Sequence, residues 1–210
     1  VTSSESVQRK QKKNMVQNPY QNALLPAPVG GGYSDPDYWI WCGSVVQGED
    51  GAYHMFASRW PKDLGFGANW LFNCEIVRAS SKNPEGPYTF QEVVLGRRGR
   101  TFFDGMNVHN PYIRKWNQTY YLYYMGTTFG GPIPGPGDEV DSSRFTEVWN
   151  RKRIGLATAP SVFGPWTRCD EPLISPRDCS HWDCTATTNP AVAIQPDGTT
   201  YMLYKSRSFA

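Results

Sequence analysis

No apolar run in the 210-residue chain approaches the ~20 residues that a membrane-spanning helix needs, so no membrane partner is expected. An excess of charge of one sign is also lacking. The 21 basic residues face 19 acidic ones and leave a net charge of +2, which predicts no nucleic-acid partner. The basic cluster Arg9-Lys10-Gln11-Lys12-Lys13 stands in a polar N-terminal stretch and reads as a solvated arm over 1–32. Zinc-ribbon spacing is missing among the five cysteines Cys42, Cys74, Cys169, Cys179 and Cys184. Cys179 and Cys184 stand too far apart for a close ligand pair, and His181 between them is a poor third ligand. No metal site is therefore expected there, and the thiols read as disulfide partners or as buried side chains. An odd number leaves one free or paired with another chain. The chain opens at Val1 with neither an initiator Met nor an apolar leader, the pattern of a mature or processed product. Together with the sequon Asn117-Gln118-Thr119 in a predicted turn, this gives the expectation of a secreted, extracellular glycoprotein modified at Asn117.

What the chain does have is aromatics, 14% of residues, and 20 Gly with 17 Pro, a composition that favours strands joined by turns. It also repeats itself. Phe103-Asp104-Gly105, followed after four residues by Asn110-Pro111, returns as Trp182-Asp183-Cys184 and Asn189-Pro190. Each copy leads into a hydrophobic strand, a tight turn and an aromatic strand. A looser copy places Asp37 ahead of Gly43-Ser44, and Gly86-Pro87-Tyr88-Thr89 reappears as Gly164-Pro165-Trp166-Thr167. Four-stranded units at this period predict an all-β, five-bladed β-propeller of which 33–210 holds about two and a half blades. Blade 1 spans about 37–95, with strands near Ile40 to Gln47, Tyr53 to Ser58, Cys74 to Ala79 and Tyr88 to Leu95. Blade 2 spans about 103–174, with strands near His109 to Lys115, Tyr120 to Thr127, Arg153 to Ala157 and Trp166 to Leu173. Blade 3 begins at about 182 and supplies only Pro190 to Gln195 and Tyr201 to Lys205.

Loop length then locates a site. The turns between first and second strands, and between third and fourth, are short. The connections Arg59 to Asn73, Phe129 to Lys152, Gly96 to Val108 and Ser175 to Thr188 are long, and in an up-and-down blade they all emerge on one face. Asp37, Asp104 and Asp183 are related by the repeat and fall near this face at the mouth of the channel. Carboxylates converging there beside aromatics suit sugar chemistry, as general acid and base with Trp and Tyr as stacking surfaces. An Asp before a strand also caps turns, and a role repeated in every blade is what a scaffold residue would have. His109, just before the inner-strand Asn-Pro, is a proton donor, a metal ligand or a buried hydrogen-bonded histidine. Arg59, Trp60 and Trp70 begin or border the first long loop and are candidate substrate contacts, as are Asn110 and Asn189. Glu75 and Arg78 read as an ion pair internal to blade 1.

The stretch Trp41-Cys42-Gly43-Ser44 leading to Glu49-Asp50-Gly51-Ala52-Tyr53-His54-Met55-Phe56-Ala57-Ser58-Arg59-Trp60 resembles the five-bladed propeller glycoside hydrolases around family 43, related to families 32, 62, 68 and 117. The resemblance continues through Cys74 to Ala79, Phe103-Asp104-Gly105, His109-Asn110-Pro111, Arg153 to Ala157 and Trp182-Asp183, covering roughly 33 to 208. It implies hydrolysis of glycosidic bonds in a carbohydrate partner, usually with inversion, by carboxylates around the channel mouth, for which Asp37, Asp104 and Asp183 are the nearest candidates in this chain, with His109 as a candidate proton donor. No cofactor is implied beyond a Ca2+ that the channel could hold. In that family an inner-strand Asp before Pro serves as base, whereas this chain has Gly43-Ser44, Asn110-Pro111 and Asn189-Pro190 at the matching places. The family's general-acid Glu belongs to a later blade. A second polypeptide or a C-terminal fragment is therefore expected to complete the propeller. The other reading is a non-catalytic carbohydrate-binding or structural propeller.

Overall fold

The computed structural model describes residue 20 and residues 23–207; the basic cluster Arg9 to Lys13 lies outside the described residues. Two four-stranded antiparallel sheets are complete, each with its strands in chain order. Blade 1 consists of β1 (Tyr38–Gln47), β2 (Tyr53–Pro61), β3 (Glu75–Ser81) and β4 (Thr89–Leu95). Blade 2 consists of β5 (Asn107–Trp116), β6 (Thr119–Thr127), β7 (Arg153–Ala159) and β8 (Thr167–Arg168). A two-stranded sheet, β9 (Thr188–Ile194) with β10 (Thr200–Lys205), begins blade 3. This is the predicted up-and-down blade order. The last strand of blade 2 is much shorter than Trp166 to Leu173. Asp170, Glu171 and Pro172 cannot sustain a ladder, and pairing resumes only as an isolated bridge between Ile154 and Ile174.

The blades stack face to face. Phe56, Ile76 and Leu95 of blade 1 pack with Val108, Ile113, Leu122 and Tyr124 of blade 2, all fully or almost fully buried. Side chains of this size stabilise by about 1.5–3 kcal/mol each when removed from water. Hydrogen bonds add register between blades. The Ser44 hydroxyl accepts from Ile113 N–H at 3.1 Å, and Ser58 accepts from Asn110 N–H at 2.8 Å. Arg114 Nε donates to the Val192 carbonyl at 2.8 Å, tying blade 2 to blade 3.

Every inner strand carries the same bulge. Cys42-Gly43 face one residue of β2, Asn110-Pro111 one of β6, and Asn189-Pro190 one of β10. The first bulge residue has positive φ in all three: 52° at Cys42, 52° at Asn110 and 53° at Asn189. Asn tolerates this left-handed conformation; Cys42 is strained by it. The bulge shifts the expected alignment by one residue, because Cys42 rather than Gly43 matches Asn110. Six residues before Cys42 stands Pro36, so Asp37 is not the blade 1 counterpart of Asp104.

One further expectation is corrected. Glu75 and Arg78 do not pair, because residues three apart on a strand face opposite sides. Glu75 binds Arg59 at 2.8 Å, while Arg78 binds Glu92 at 2.8 Å and His54 Nδ1 at 2.9 Å. The long connection between β6 and β7 contains helix α1 (Ser142–Asn150), an element beyond the expected strands. Asp141 caps it by accepting from Arg144 N–H at 2.8 Å, and Phe145, Val148 and Trp149 form its apolar stripe. That cap and spacing were the available signal. The stripe seals a second small core of Leu71, Phe72, Met106 and Phe129 beneath the long loops.

Candidate functional site

The long loops all leave one end of the sheets, and a cleft of about 350 Å³ opens there between the blades. Aromatic rings wall it. Phe66, from the loop after β2, sits against Trp41 and Trp60, while Trp149 of α1 and Trp70 form the opposite side with His109 and Lys152. Asn110 and Asn189, aimed by their bulges, reach the same space with Lys205. Trp41 is 53% exposed and offers an open ring face, although it was not among the expected contacts. Among the described residues no carboxylate lines this cleft.

His109 is 3% exposed, and its hydrogen bonds set its tautomer. Cys74 N–H donates to Asn107 Oδ1 at 2.6 Å, so the Asn107 amide nitrogen faces His109 Nδ1 at 3.1 Å and donates to it. Burial, with the nearby Lys152 ammonium, holds the imidazole pKa well below its ordinary value. The neutral ring therefore carries its proton on Nε2, and that buried atom has no hydrogen-bond partner among the described residues. Lys152 is likewise 3% exposed, its ammonium lying 4.6 Å from the Trp70 ring centre and 4.1 Å from that of Trp149. Burial, followed by repulsion from Lys205 and Arg207, lowers its pKa to about 6. Sequence reasoning missed Lys152, because nothing local marks a lysine at a strand entry as buried.

Asp104 and Asp183 are both buried, and neither lines the cleft. Asp104 accepts from Arg98 Nε at 2.7 Å and from the Tyr124 hydroxyl at 2.7 Å, with Arg168 at 3.3 Å. Asp183 repeats the arrangement with Arg177 Nε at 2.8 Å and the Tyr204 hydroxyl at 2.6 Å. Burial raises the Asp183 pKa, but the bonds from Tyr204 and Arg177 outweigh it and hold the carboxyl below the ordinary range. An Arg six positions before each Asp was the legible signal for this clamp. Gly126 makes room for the first copy, since a Cβ there would lie 2.3 Å from Asp104 Cβ. Ala57 stands where Tyr124 and Tyr204 stand, so blade 1 has no hydroxyl for such a clamp. Asp37 is exposed beside Pro36, Lys62 and Asp63, away from the cleft.

Of the expected substrate contacts, Trp60, Trp70, Asn110 and Asn189 line the cleft. Arg59 does not. It is 8% exposed, paired with Glu75 and stacked 4.0 Å from the Tyr38 ring centre. Asn117 occupies the exposed turn at the far end of β5 from Asp104. No disulfide forms: all five thiols are free, Cys74 and Cys184 buried, Cys169 and Cys179 exposed. Burial pushes the Cys42 thiol up to about 11. A channel Ca2+ does not fit these residues, because it needs six to eight oxygen ligands and the cleft offers lysines and no carboxylate. Among the described residues no helix is long and apolar enough to cross a membrane.

Stacked four-stranded antiparallel blades, with every long loop at one end, define a partial β-propeller. Its likenesses among solved structures are propeller glycoside hydrolases. Zg3597, a family 117 glycoside hydrolase of the marine bacterium Zobellia galactanivorans, superposes with a TM-score of 0.59 at 20% identity, over 85% of this chain and 50% of its own. CoXyl43, a family 43 β-xylosidase/α-arabinofuranosidase from a compost microbial metagenome, gives 0.52 at 20% identity, over 82% and 45%. The RS223 β-xylosidase gives 0.52 at 17% identity, over 80% and 43%. The chain thus spans about half the length of the structures it matches. No family model and no curated protein matches the sequence.

Proposed function

We propose that this chain is the saccharide-holding half of a secreted propeller glycoside hydrolase, and that the whole protein cleaves glycosidic bonds with inversion. The observation that carries this is the aromatic cleft at the long-loop end, where neutral His109 holds an N–H without a partner among the described residues, beside Asn110 and Asn189. Flat apolar rings with a few fixed polar groups are the combination that orients a sugar. Trp41 and Trp70 stack on the ring, and His109 Nε2–H donates to a hydroxyl oxygen. Asp104 and Asp183 position the inner strands that carry this set, and the carboxylates that move protons come from blades outside this chain. Secretion, with a glycan on Asn117, belongs to the same reading.

The absence of any carboxylate from the cleft, among the described residues, favours one alternative: a propeller that binds saccharide without cleaving it. The two separate in one experiment on the whole protein with arabinan, xylan and agar oligosaccharides. Hydrolysis with inverted product, seen by NMR, supports the enzyme; binding without cleavage supports the alternative. In either case Trp41→Ala should weaken binding about ten-fold, because one exposed stacking face is lost. Failure to bind any saccharide would overturn both.

A further inference from the structure

Lys152 is a buried lysine, and once protonated its ammonium has no counter-ion among the described residues. It forms no ion pair with them, and its ammonium lies against the faces of Trp70 and Trp149. Beyond Trp149 lies another cation, Arg207, 4.0 Å from the same ring centre and donating to Asn150 Oδ1 at 2.6 Å. Lys205 enters the cleft from β10, and His109 Nε2–H is a buried donor that lacks an acceptor among the described residues. Among the described residues Lys152 and Lys205 are the only Lys, Arg, Asp or Glu lining the cleft, and each is cationic when protonated.

A neutral saccharide supplies hydroxyl groups, which can satisfy His109 but cannot balance a buried ammonium. We infer that the cleft recognises a saccharide bearing an anionic substituent, a uronate carboxylate or a sulfate ester, placed between Lys152, Lys205 and His109 Nε2. The anion takes the vacant acceptor role at His109 and gives Lys152 the charge-assisted partner it lacks. Asn110 and Asn189 contact the neutral part of the ring, and the tryptophans exclude water, which strengthens each charged contact. The inference rests on the saccharide-binding reading above and narrows it to acidic glycans.

The test is calorimetric binding to the whole protein. Oligogalacturonides are compared with their methyl esters, and a sulfated galactan oligosaccharide with its desulfated form. We expect one acidic form to bind at least ~10-fold tighter than its neutral partner, with the gap narrowing at high salt. Which pair shows the gap identifies carboxylate or sulfate. Lys152→Met should reduce the gap to about two-fold or less. Lys205→Ser, a change at an exposed position, should narrow it several-fold without challenging the fold. Equal affinity for acidic and neutral forms would overturn the inference and leave the saccharide reading standing. An acidic preference untouched by both variants would also overturn it. Binding of no saccharide at all would remove the underlying reading as well.

Discussion

Burying an ammonium among aromatic rings costs stability, and Lys152 is where this chain does so. The unfolded chain keeps that proton up to about pH 10.5, the folded one only to about 6. Between these values the unfolded state binds more protons, so stability rises with pH. The cost is full below pH 6 and gone above 10.5. Lys152→Met should therefore raise the melting temperature by roughly 5 °C or more near neutral pH. The gain should be largest at or below pH 6 and shrink towards pH 10. A variant no more stable than the parent at pH 6 would mean that the ammonium finds water or a partner.

At the scale of elements, short turns and bulges do the joining. The β1–β2 turn places Glu49 against blade 2, where its carboxylate accepts from the Tyr120 hydroxyl at 2.7 Å, from the Ser161 hydroxyl and from Val162 N–H at 3.2 Å. Burial raises the Glu49 pKa, but the bonds from Ser161 and Tyr120 outweigh it and set it at about 2. A carboxylate depressed in this way contributes fully above its unfolded value of 4.5 and loses its contribution as pH falls towards 2. Glu49→Gln should cost about 1 kcal/mol at pH 7, the low end for charged hydrogen bonds because the turn is wet. In denaturant titrations the parent and variant should converge between pH 4.5 and 2. An undiminished difference at the acid end would assign the effect to side-chain shape instead of charge.

For the molecule as a whole, the open edge matters most. Among the described residues β10 pairs only with β9, and it exposes Tyr201 (62%) and Leu203 (79%). An unpaired strand with apolar side chains invites pairing with another chain. A polypeptide that completes the propeller would cover it. Residues 1–210 made alone should self-associate, whereas the same residues together with the completing blades should be monodisperse by light scattering. A stable, monodisperse monomer of 1–210 would count against completion by further blades.

The repeat, the blade order, the short and long turns and the end from which the long loops emerge were all legible in the sequence. They depend on local periodicity and turn chemistry, which neighbouring residues determine. Trp60, Trp70, His109, Asn110 and Asn189, named as candidates from the long loops and the repeat, all line the cleft at that end. The fate of charges was not legible. Asp104 and Asp183 read as candidate catalysts, but Arg98 and Arg177 with Tyr124 and Tyr204 close around them. Asp37 lost its equivalence because the shared bulge aligns Cys42, not Gly43, with Asn110 and so places Pro36 opposite Asp104. Lys152 is buried in the cleft through Trp70 and Trp149, which come from two other elements. Whether a charge is paired, buried or free depends on what packs against it from afar, and only the tertiary structure decides that.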